Sequence, residues 1–334
     1  MIQSKRKAFT IVELVIVIAV IAVLAAVLVP TFASVINNAE ESNAMQEAKN
    51  AYIDYLAATD VTNPQPMVYQ SKNKFVALKD GQVGGIYSTK TEALAEIGFT
   101  EADGEYMFDT GNGLLGYYKP TAGATFASNT DTLTICEKFT EPVVTFEAWI
   151  KLPTTYPASG GTIFGSYTTS LGKLQNFEIG DIHPEVPDSY AKARLLQYLS
   201  TSNLTRQHIY LTGVDLNTDK WTHIAIVNDS ANSKVHYYVN GVFFKSYTAT
   251  ITLITCDNAY RIGNNVTPDD KFRFKGQIHS IAVYSDVRTA QEISKDAISP
   301  GNDGLIARWD LSNVPSGPTT VTDLSGNGYN ASRS

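Results

Sequence analysis

Glu13 is the residue of greatest chemical interest in this sequence, because it is the one charged side chain inside a long apolar run. From Phe9 to Val29 every residue is apolar except Thr10 and Glu13. An ionised carboxylate at the centre of a membrane helix costs about 2.5–3.5 kcal/mol, so such residues usually have a function. Two interpretations remain open here: a functional acid in an apolar environment, or an acid that reaches the nearby membrane interface.

The run around Glu13 is long enough to cross a membrane. At a rise of about 1.5 Å per residue, a helix over 9–29 spans roughly the ~30 Å hydrocarbon core. The basic residues Lys5, Arg6 and Lys7 precede it. They predict that this end stays in the cytoplasm and that the rest of the chain faces outward. A secretory signal peptide has a shorter apolar region followed by a small-residue cleavage site, so the pattern favours a membrane helix.

The segment Ala8-Phe9-Thr10-Ile11-Val12-Glu13, between a basic leader and the apolar run, resembles the class III signal of type IV prepilins. The resemblance implies that a prepilin peptidase cuts between Ala8 and Phe9 and methylates the new amine of Phe9. It also implies that Glu13 neutralises the N-terminus of a neighbouring subunit during filament assembly. Pro30 matches the proline that kinks the helix in many members. Ala8 departs from the family, which usually has Gly before the cut.

The spacing of apolar residues after Pro30 predicts that the helix continues to about Ala58. Apolar positions recur at intervals of three or four, with polar residues between them, and the helix must stop before Asn63-Pro64-Gln65-Pro66. The apolar positions are Phe32, Val35, Ile36, Ala39, Met45, Ala48, Tyr52, Tyr55 and Leu56. We therefore expect a leader at 1–8 and a pilin helix over 9–60. Its transmembrane part is 9–29, and an amphipathic part at 31–58 packs on its own domain.

Residues 61–120 are predicted to form a small α/β subdomain. Lys79-Asp80-Gly81 separates two short apolar segments and is typical of a β-hairpin. Thr89 and Glu92 have the spacing of a capping box for a helix that ends at Gly98. No residue pattern in this region indicates chemistry, so we expect it to pack against the long helix.

The remainder of the chain, 121–334, is predicted to be all-β, which makes the whole protein α+β. Short alternating segments such as Thr145–Ile150 and Val235–Val239 recur, and Asn240-Gly241 predicts a tight hairpin after the second. The net charge of −7 and the pI of about 5.3 argue against nucleic acid as a partner.

Several segments of this region together resemble the laminin-G-like jelly roll of the concanavalin A-like superfamily. In order they are Val144–Trp149, Lys220–Ala225, Tyr238–Gly241, Tyr260–Gly263, Phe274–Ile278, Ala282–Tyr284 and Thr289–Ile293. The tail departs from the family, since Gly304–Leu311 and Asp323–Gly328 resemble the strand and turn that usually open such a domain. Two arrangements are open: a circularly permuted domain or a truncated second copy. We prefer the permuted domain, because a truncated copy would expose apolar strand edges.

The superfamily contains glycan binders and glycanases, so the resemblance alone leaves the function open. A retaining glycanase needs two carboxylates about 5–5.5 Å apart. Glu178 and Asp181 are the nearest match, but residues three apart in a strand point to opposite faces, which argues against an enzyme. Related domains also bind calcium, and loop acids are its preferred ligands. The candidates are Asp257, Asp269, Asp270 and Asp323, although solvated loop acids are the simpler interpretation and no cofactor is expected to be required.

The chain has two cysteines, Cys136 and Cys256. This number rules out a four-cysteine metal site. Each precedes a predicted strand of an exported domain, which is compatible with one disulfide. Closing so long a loop would stabilise the fold by up to about 4–5 kcal/mol.

Taken together, the sequence predicts a type IV pilin-like filament subunit with an adhesin-like extracellular head that binds a glycan or another surface ligand. Its expected partners are other copies of itself, the prepilin peptidase and, before assembly, the cytoplasmic membrane. The alternative is a minor pseudopilin of a type II secretion or DNA-uptake system, because such proteins share the same N-terminus.

Overall fold

A computed structural model describes most of the chain. The described residues are 10–58, 65–100, 106–109, 112–155, 160–166, 173–180, 195–200, 206–210, 216, 219–264 and 273–333. The processing residues Ala8 and Phe9, and the loop acids Asp181, Asp269 and Asp270, lie outside them.

The long N-terminal helix, α1, extends over Ile11–Ala58 and therefore ends where the sequence predicts. Pro30 lies inside it and has no backbone N–H to donate to the preceding turn. In the next residue, the Thr31 hydroxyl donates to the carbonyl of Val27 at 2.6 Å. The helix thus continues through the proline as a single element.

The upper half of α1 packs on a small sheet through residues spaced three or four apart. Ala44, Ala48, Ala51 and Tyr52 are buried, and the alanines allow the helix backbone to approach the sheet closely. Polar contacts flank this face. Lys74 Nζ lies 3.0 Å from Glu41 Oε1 and also donates to Asn37 Oδ1 at 2.7 Å. The packed face begins later than the sequence predicts, since Phe32, Val35 and Ile36 are exposed.

The small sheet contains five antiparallel strands in the order β3-β2-β1-β5-β4. Its elements are β1 Met67–Ser71, β2 Lys74–Lys79, β3 Gln82–Tyr87, helix α2 Lys90–Glu96, β4 Tyr106–Asp109 and β5 Leu114–Tyr118. The predicted hairpin is confirmed, with Asp80 and Gly81 at φ of 52° and 78°. The predicted capping box of Thr89 and Glu92 is also present.

The jelly roll consists of two antiparallel sheets around one core. Its first strands are β6 Ala124–Phe126, β7 Leu133–Ile135, β8 Thr145–Lys151, β9 Gly161–Gly165, β10 Leu174–Ile179, β11 Leu195–Ser200 and β12 Arg206–Tyr210. The remaining elements are β13 Trp221–Asp229, β14 Lys234–Val239, β15 Val242–Thr248, β16 Arg261–Ile262, β17 Gly276–Tyr284, helix α3 Ala290–Asp296, β18 Leu305–Asp310, β19 Thr319–Val321 and β20 Ala331–Arg333. Along the described strands, one sheet has the order β12-β11-β10-β9-β16-β7-β20-β19. The other has the order β15-β14-β13-β8-β17-β18, and β6 also pairs with β17.

Stacked aromatic rings fill the space between the two sheets. Phe146 and Phe177 stack with ring centroids 4.3 Å apart, and Phe164 and Tyr260 with centroids 4.6 Å apart. The hairpin predicted after β14 is confirmed by positive φ at Asn240 and Gly241. The predicted fold class, a long helix followed by a concanavalin A-like jelly roll, is therefore correct.

The C-terminal tail is an integral part of the jelly roll. β18 pairs with Ser280–Tyr284 of β17, while β6 pairs with Gly276–Ile278 of the same strand, so both ends of the domain share one edge of the sheet. β20 pairs with β7 in the other sheet, and the side chain of Trp309 is fully buried. This arrangement agrees with the permuted domain rather than a truncated second copy.

Candidate functional site

In the lower half of α1, from Ile11 to Ile36, the large apolar side chains are all exposed. By length and composition Ile11–Ala57 could cross a membrane, and none of its most apolar window is buried within the protein. The exposed large apolar residues are Ile11, Val12, Leu14, Val15, Ile16, Val17, Ile18, Val20, Ile21, Val23, Leu24, Val27, Leu28, Val29, Phe32, Val35 and Ile36. An apolar surface of this extent marks a site of contact with lipid or with other proteins.

Glu13 lies in the first turn of α1, where it forms a capping box with Thr10. Its Oε2 atom accepts hydrogen bonds from Thr10 N at 2.9 Å and Thr10 Oγ1 at 2.8 Å, and Thr10 Oγ1 accepts from Glu13 N at 3.2 Å. Within the described part of the chain, Oε1 of Glu13 has no hydrogen-bond partner. The carboxylate can therefore accept one further donor without breaking the cap.

A polar pocket of about 410 Å³ opens at one rim of the jelly roll, and we call it the rim pocket. Four separate parts of the chain build it: the loop before β8, the residue after β17, the segment from the turn after α3 into β18, and the loop before β20. Its lining residues are Thr140, Glu141, Ser285, Asn302, Gly304, Leu305, Ile306, Asn327 and Tyr329. The rim pocket was not foreseen from the sequence, because these residues are far apart along the chain.

The tail residues of the rim pocket are held in place by other groups. The Asn327 side-chain amide donates to the carbonyls of Leu305 and Ile306 at 3.0 and 2.9 Å. Tyr329 N donates to Asp323 Oδ2 at 3.0 Å, and Trp309 Nε1 donates to the Tyr329 carbonyl at 2.9 Å. The pocket wall is therefore formed before any ligand arrives.

A second, smaller cavity of about 120 Å³ lies where the small sheet meets the jelly roll. Glu147 and His223 line it and are almost fully buried, with His223 Nε2 3.2 Å from Glu147 Oε2. Burial raises the pKa of Glu147 well above its usual value and lowers the pKa of His223 to about 3. Both shifts favour the uncharged forms of the two side chains.

Arg288 and Asp296 lie near Glu147 and His223, and these four buried polar residues form a layer beneath α3. Arg288 donates to Asp296 Oδ2 from Nε at 2.9 Å and from Nη2 at 2.6 Å. Close by, Trp149 Nε1 donates to the Ala297 carbonyl at 2.5 Å. These bonds fix α3 against the outer face of the sheet, so we interpret the layer as structural. Strand alternation in Thr145–Ile150 could have indicated that Glu147 lies on this outer face.

The two cysteines do not form the expected disulfide, and both are free thiols. Cys136 is exposed and its Sγ donates to the Gly328 carbonyl at 3.3 Å, whereas Cys256 is buried and its Sγ donates to the Tyr260 hydroxyl at 3.1 Å. Burial raises the pKa of the Cys256 thiol to about 11. The prediction is corrected because one sulfur lies at the surface and the other in the core.

The candidate calcium ligands that can be located have structural partners. Asp257 Oδ2 accepts from Lys173 N at 2.7 Å. Asp323 Oδ1 accepts from the backbone N–H groups of Arg308 and Ser325, so this carboxylate organises the turn before β20. Among the described residues, no group of three or more His, Cys, Asp or Glu side chains could hold a metal ion.

Sequence comparisons agree with both halves of this architecture. Residues 3–29 match the prokaryotic N-terminal methylation motif. Residues 97–294, more than half of the chain, match the concanavalin A-like lectin/glucanases superfamily. The chain belongs to this superfamily. The match of this lectin/glucanase-type domain ends before β18, so Asn302, Asn327 and Tyr329 of the rim pocket lie beyond it. Curated protein sequences give no match.

Three solved structures illustrate what this superfamily member is similar to, each at low sequence identity. A putative carbohydrate binding protein from Bacteroides ovatus is 16% identical, with 85% of this chain and 82% of that chain covered and a TM-score of 0.47. A pentraxin from Limulus polyphemus is 13% identical, with 63% and 94% covered and a TM-score of 0.39. Domains LG4-5 of the mouse laminin alpha1 chain are 12% identical, with 52% and 45% covered and a TM-score of 0.35.

The chain thus combines a prepilin methylation motif, a membrane-type apolar helix and a lectin-type jelly roll. This is the organisation of a pilin-like surface protein, anchored in a membrane through its N-terminal helix and carrying an extracellular domain.

Proposed function

We propose that this protein is a type IV pilin-like filament subunit whose jelly-roll head is displayed on the filament surface. One observation carries the proposal, the contrast between the two halves of α1. Ala44, Ala48 and Ala51 are buried against the small sheet, whereas the apolar side chains of Ile11–Ile36 are all exposed. Lipid covers that surface before assembly. In the filament, helices of neighbouring subunits replace the lipid and keep the apolar area out of water.

In this proposal the prepilin peptidase cuts between Ala8 and Phe9 and methylates the new amine. The Phe9 amine of one subunit then pairs with Glu13 of another. The free Oε1 atom of Glu13 supports this pairing, since it can accept the amine while Oε2 keeps its bonds to Thr10. Removal of one partner from a buried ion pair typically costs about 3–5 kcal/mol, so the pair also sets the axial register.

For the head we propose the binding of an extracellular glycan without hydrolysis and without a required cofactor. Membership of a superfamily that contains lectins supports the ligand class. Glu178, the nearest candidate for a catalytic acid, is buried, and its Oε1 accepts from Thr162 Oγ1 at 3.1 Å. A carboxyl group in this position is inaccessible to a polymer chain, which supports binding rather than cleavage.

Electron microscopy of cell-surface filaments, with and without this chain, tests the filament proposal. We expect filaments that disappear on deletion and that antibodies against the head label along their length. Unchanged filaments with no label would contradict the proposal and favour the alternative, a minor pseudopilin of a type II secretion or DNA-uptake system.

A further inference from the structure

The rim pocket has the size and polarity of a site for a small polar ligand. Its volume of about 410 Å³ falls in the range of roughly 300–1,000 Å³ that is common for ligand sites. All of its lining residues are described, and Glu141 is the one charged residue among them. A ligand for this pocket is therefore rich in hydroxyl groups rather than strongly charged or largely apolar.

Tyr329 provides a fixed aromatic surface in the pocket. Its ring packs edge-on against Phe139 with centroids 4.8 Å apart, and its backbone is held at both ends by Asp323 and Trp309. The ring is only partly buried, so one part of it remains accessible. An aromatic ring held in this way can contact the C–H face of a sugar, while its hydroxyl lies 3.5 Å from Thr140 Oγ1 in the same pocket.

Polar groups with unused hydrogen-bonding capacity surround this ring. Asn327 uses its amide nitrogen on two backbone carbonyls, which leaves its Oδ1 atom as an acceptor. The side chains of Glu141 and Asn302 are exposed and have no hydrogen-bond partner within the described part of the chain. Amide and carboxylate groups are planar and can pair with two adjacent hydroxyls of a sugar ring.

We propose that the rim pocket is a saccharide-binding site that selects neutral sugars over acidic ones. This inference rests on the proposed function of the head as a glycan binder and assigns its site. Glu141 sets the selectivity, because its carboxylate would face the carboxylate of a sialic or uronic acid. Asp303, in the turn that carries Asn302, adds further negative charge. Like charges brought together in this way disfavour the acidic ligand.

Part of this site lies in the C-terminal tail, outside the residues that match the superfamily. Asn302, Asn327 and Tyr329 lie beyond residues 97–294, the part that matches the superfamily. The strand β18 pairs with β17, and hydrogen bonds to Leu305, Ile306 and Trp309 of β18 hold Asn327 and Tyr329 beside it. The strand β18 therefore both extends the sheet of the jelly roll and positions the tail residues of the rim pocket.

The test uses the full-length chain in detergent on an array of neutral oligosaccharides, each paired with its sialylated form. We expect binding to at least one neutral probe and at least tenfold weaker binding to its sialylated partner. Asn302→Ala should weaken neutral binding about fivefold, the effect of one lost hydrogen bond. Glu141→Gln keeps the shape and removes the charge, so it should reduce the discrimination between the paired probes about tenfold.

Glu137→Gln is the matched control, because Glu137 is exposed in the same loop but does not line the pocket. Unchanged neutral binding in Asn302→Ala, together with unchanged discrimination in Glu141→Gln, would overturn the assignment of the site and leave a glycan-binding head intact. No binding to any probe by correctly folded protein would overturn both the site and the proposed ligand class. Equal binding of the paired probes by the unmodified chain would overturn the selectivity.

Discussion

The hydroxyl group of Tyr118 donates a hydrogen bond to Nε2 of His279 over 2.7 Å, which links strand β5 of the small sheet to strand β17 of the jelly roll. The hydrogen bond made by the other ring nitrogen of His279 shows which of the two groups is the donor. Nδ1 of His279 lies 2.7 Å from the Ala122 carbonyl, which can only accept, so Nδ1 carries the hydrogen and Nε2 is the acceptor. The link lies beside a shared apolar cluster that contains Ala51 of α1, Met67 of the small sheet and Trp149 of the jelly roll.

A double-mutant cycle on Tyr118 and His279 should therefore show coupling between the two parts of the protein. We expect Tyr118→Phe to lower the free energy of unfolding by about 0.5–1.5 kcal/mol, because Nε2 loses its donor. In a His279→Gln background the same substitution should cost less. Urea unfolding of the full-length chain in detergent gives the free energy of unfolding for the unmodified protein, the two single variants and the double variant. Effects that add to within about 0.3 kcal/mol would show that the bond does not link the two parts.

The contact between α1 and the small sheet should tolerate no larger side chain at Ala48. This residue is fully buried, so we expect Ala48→Leu to destabilise the protein by about 1–3 kcal/mol through overpacking. Ala39→Leu is the matched control, since Ala39 is exposed on the same helix and the substitution leaves the helix propensity nearly unchanged. Equal urea midpoints for the two variants would contradict the packing that we describe.

The free energy of unfolding of the head should depend on pH through Glu147 and His223, and the two residues should change it in opposite directions as the pH rises. The pKa of His223 is lowered from 6.5 to about 3, so its contribution is complete above pH 6.5 and is lost as the pH falls. The pKa of Glu147 is raised well above 4.5, so its contribution is complete below pH 4.5 and is lost as the pH rises. The two slopes oppose each other between pH 4.5 and pH 6.5, so the contribution of this pair is greatest in that range.

Glu147→Gln should reduce the loss of stability as the pH rises above about 4.5. Glu178, whose pKa burial raises to about 7, adds a similar decline that ends near that pH. Both proteins share the decline due to Glu178, so urea midpoints should fall less steeply with rising pH in the variant than in the unmodified protein. Glu137→Gln, which changes an exposed carboxylate, should behave as the unmodified protein does. Parallel profiles for Glu147→Gln and the unmodified protein would contradict the assignment.

The two thiols should differ in reactivity. Cys136 is exposed, whereas Cys256 is buried and its pKa is raised to about 11. Because the thiolate is the reactive form, a maleimide should label Cys136 alone in the folded protein and both residues after unfolding. Mass spectrometry of non-reduced peptides identifies the labelled residue. A peptide pair joined through Cys136 and Cys256 would contradict the structure and restore the disulfide that the sequence suggested.

Local sequence patterns were sufficient for the helix and the turns. A capping box such as Thr89 with Glu92, or a hairpin turn such as Asn240-Gly241, depends on a few adjacent residues, so its geometry can be read directly. The end of α1 at Ala58 was equally accessible, because the prolines that follow it prevent further helix.

Contacts between distant residues could not be obtained in this way. The burial of Glu147 with His223 depends on the register between β8 and β13, and a shift of one residue would place either side chain on the other face. The rim pocket requires the pairing of β18 with β17, which no local pattern specifies. The positions of Cys136 and Cys256 before two strands likewise did not indicate which sulfur faces the core.

The central claim, that α1 assembles subunits through Glu13, is tested most directly by electron microscopy of filaments from cells that produce Glu13→Gln. This substitution keeps the side-chain size and removes the charge that would pair with the Phe9 amine. Asp54→Asn is the matched control, because Asp54 is an exposed acid on the same helix outside the apolar run. We predict normal filaments for Asp54→Asn, and few or disordered filaments for Glu13→Gln with the leader still removed. Filaments of normal length and abundance in Glu13→Gln would contradict this account.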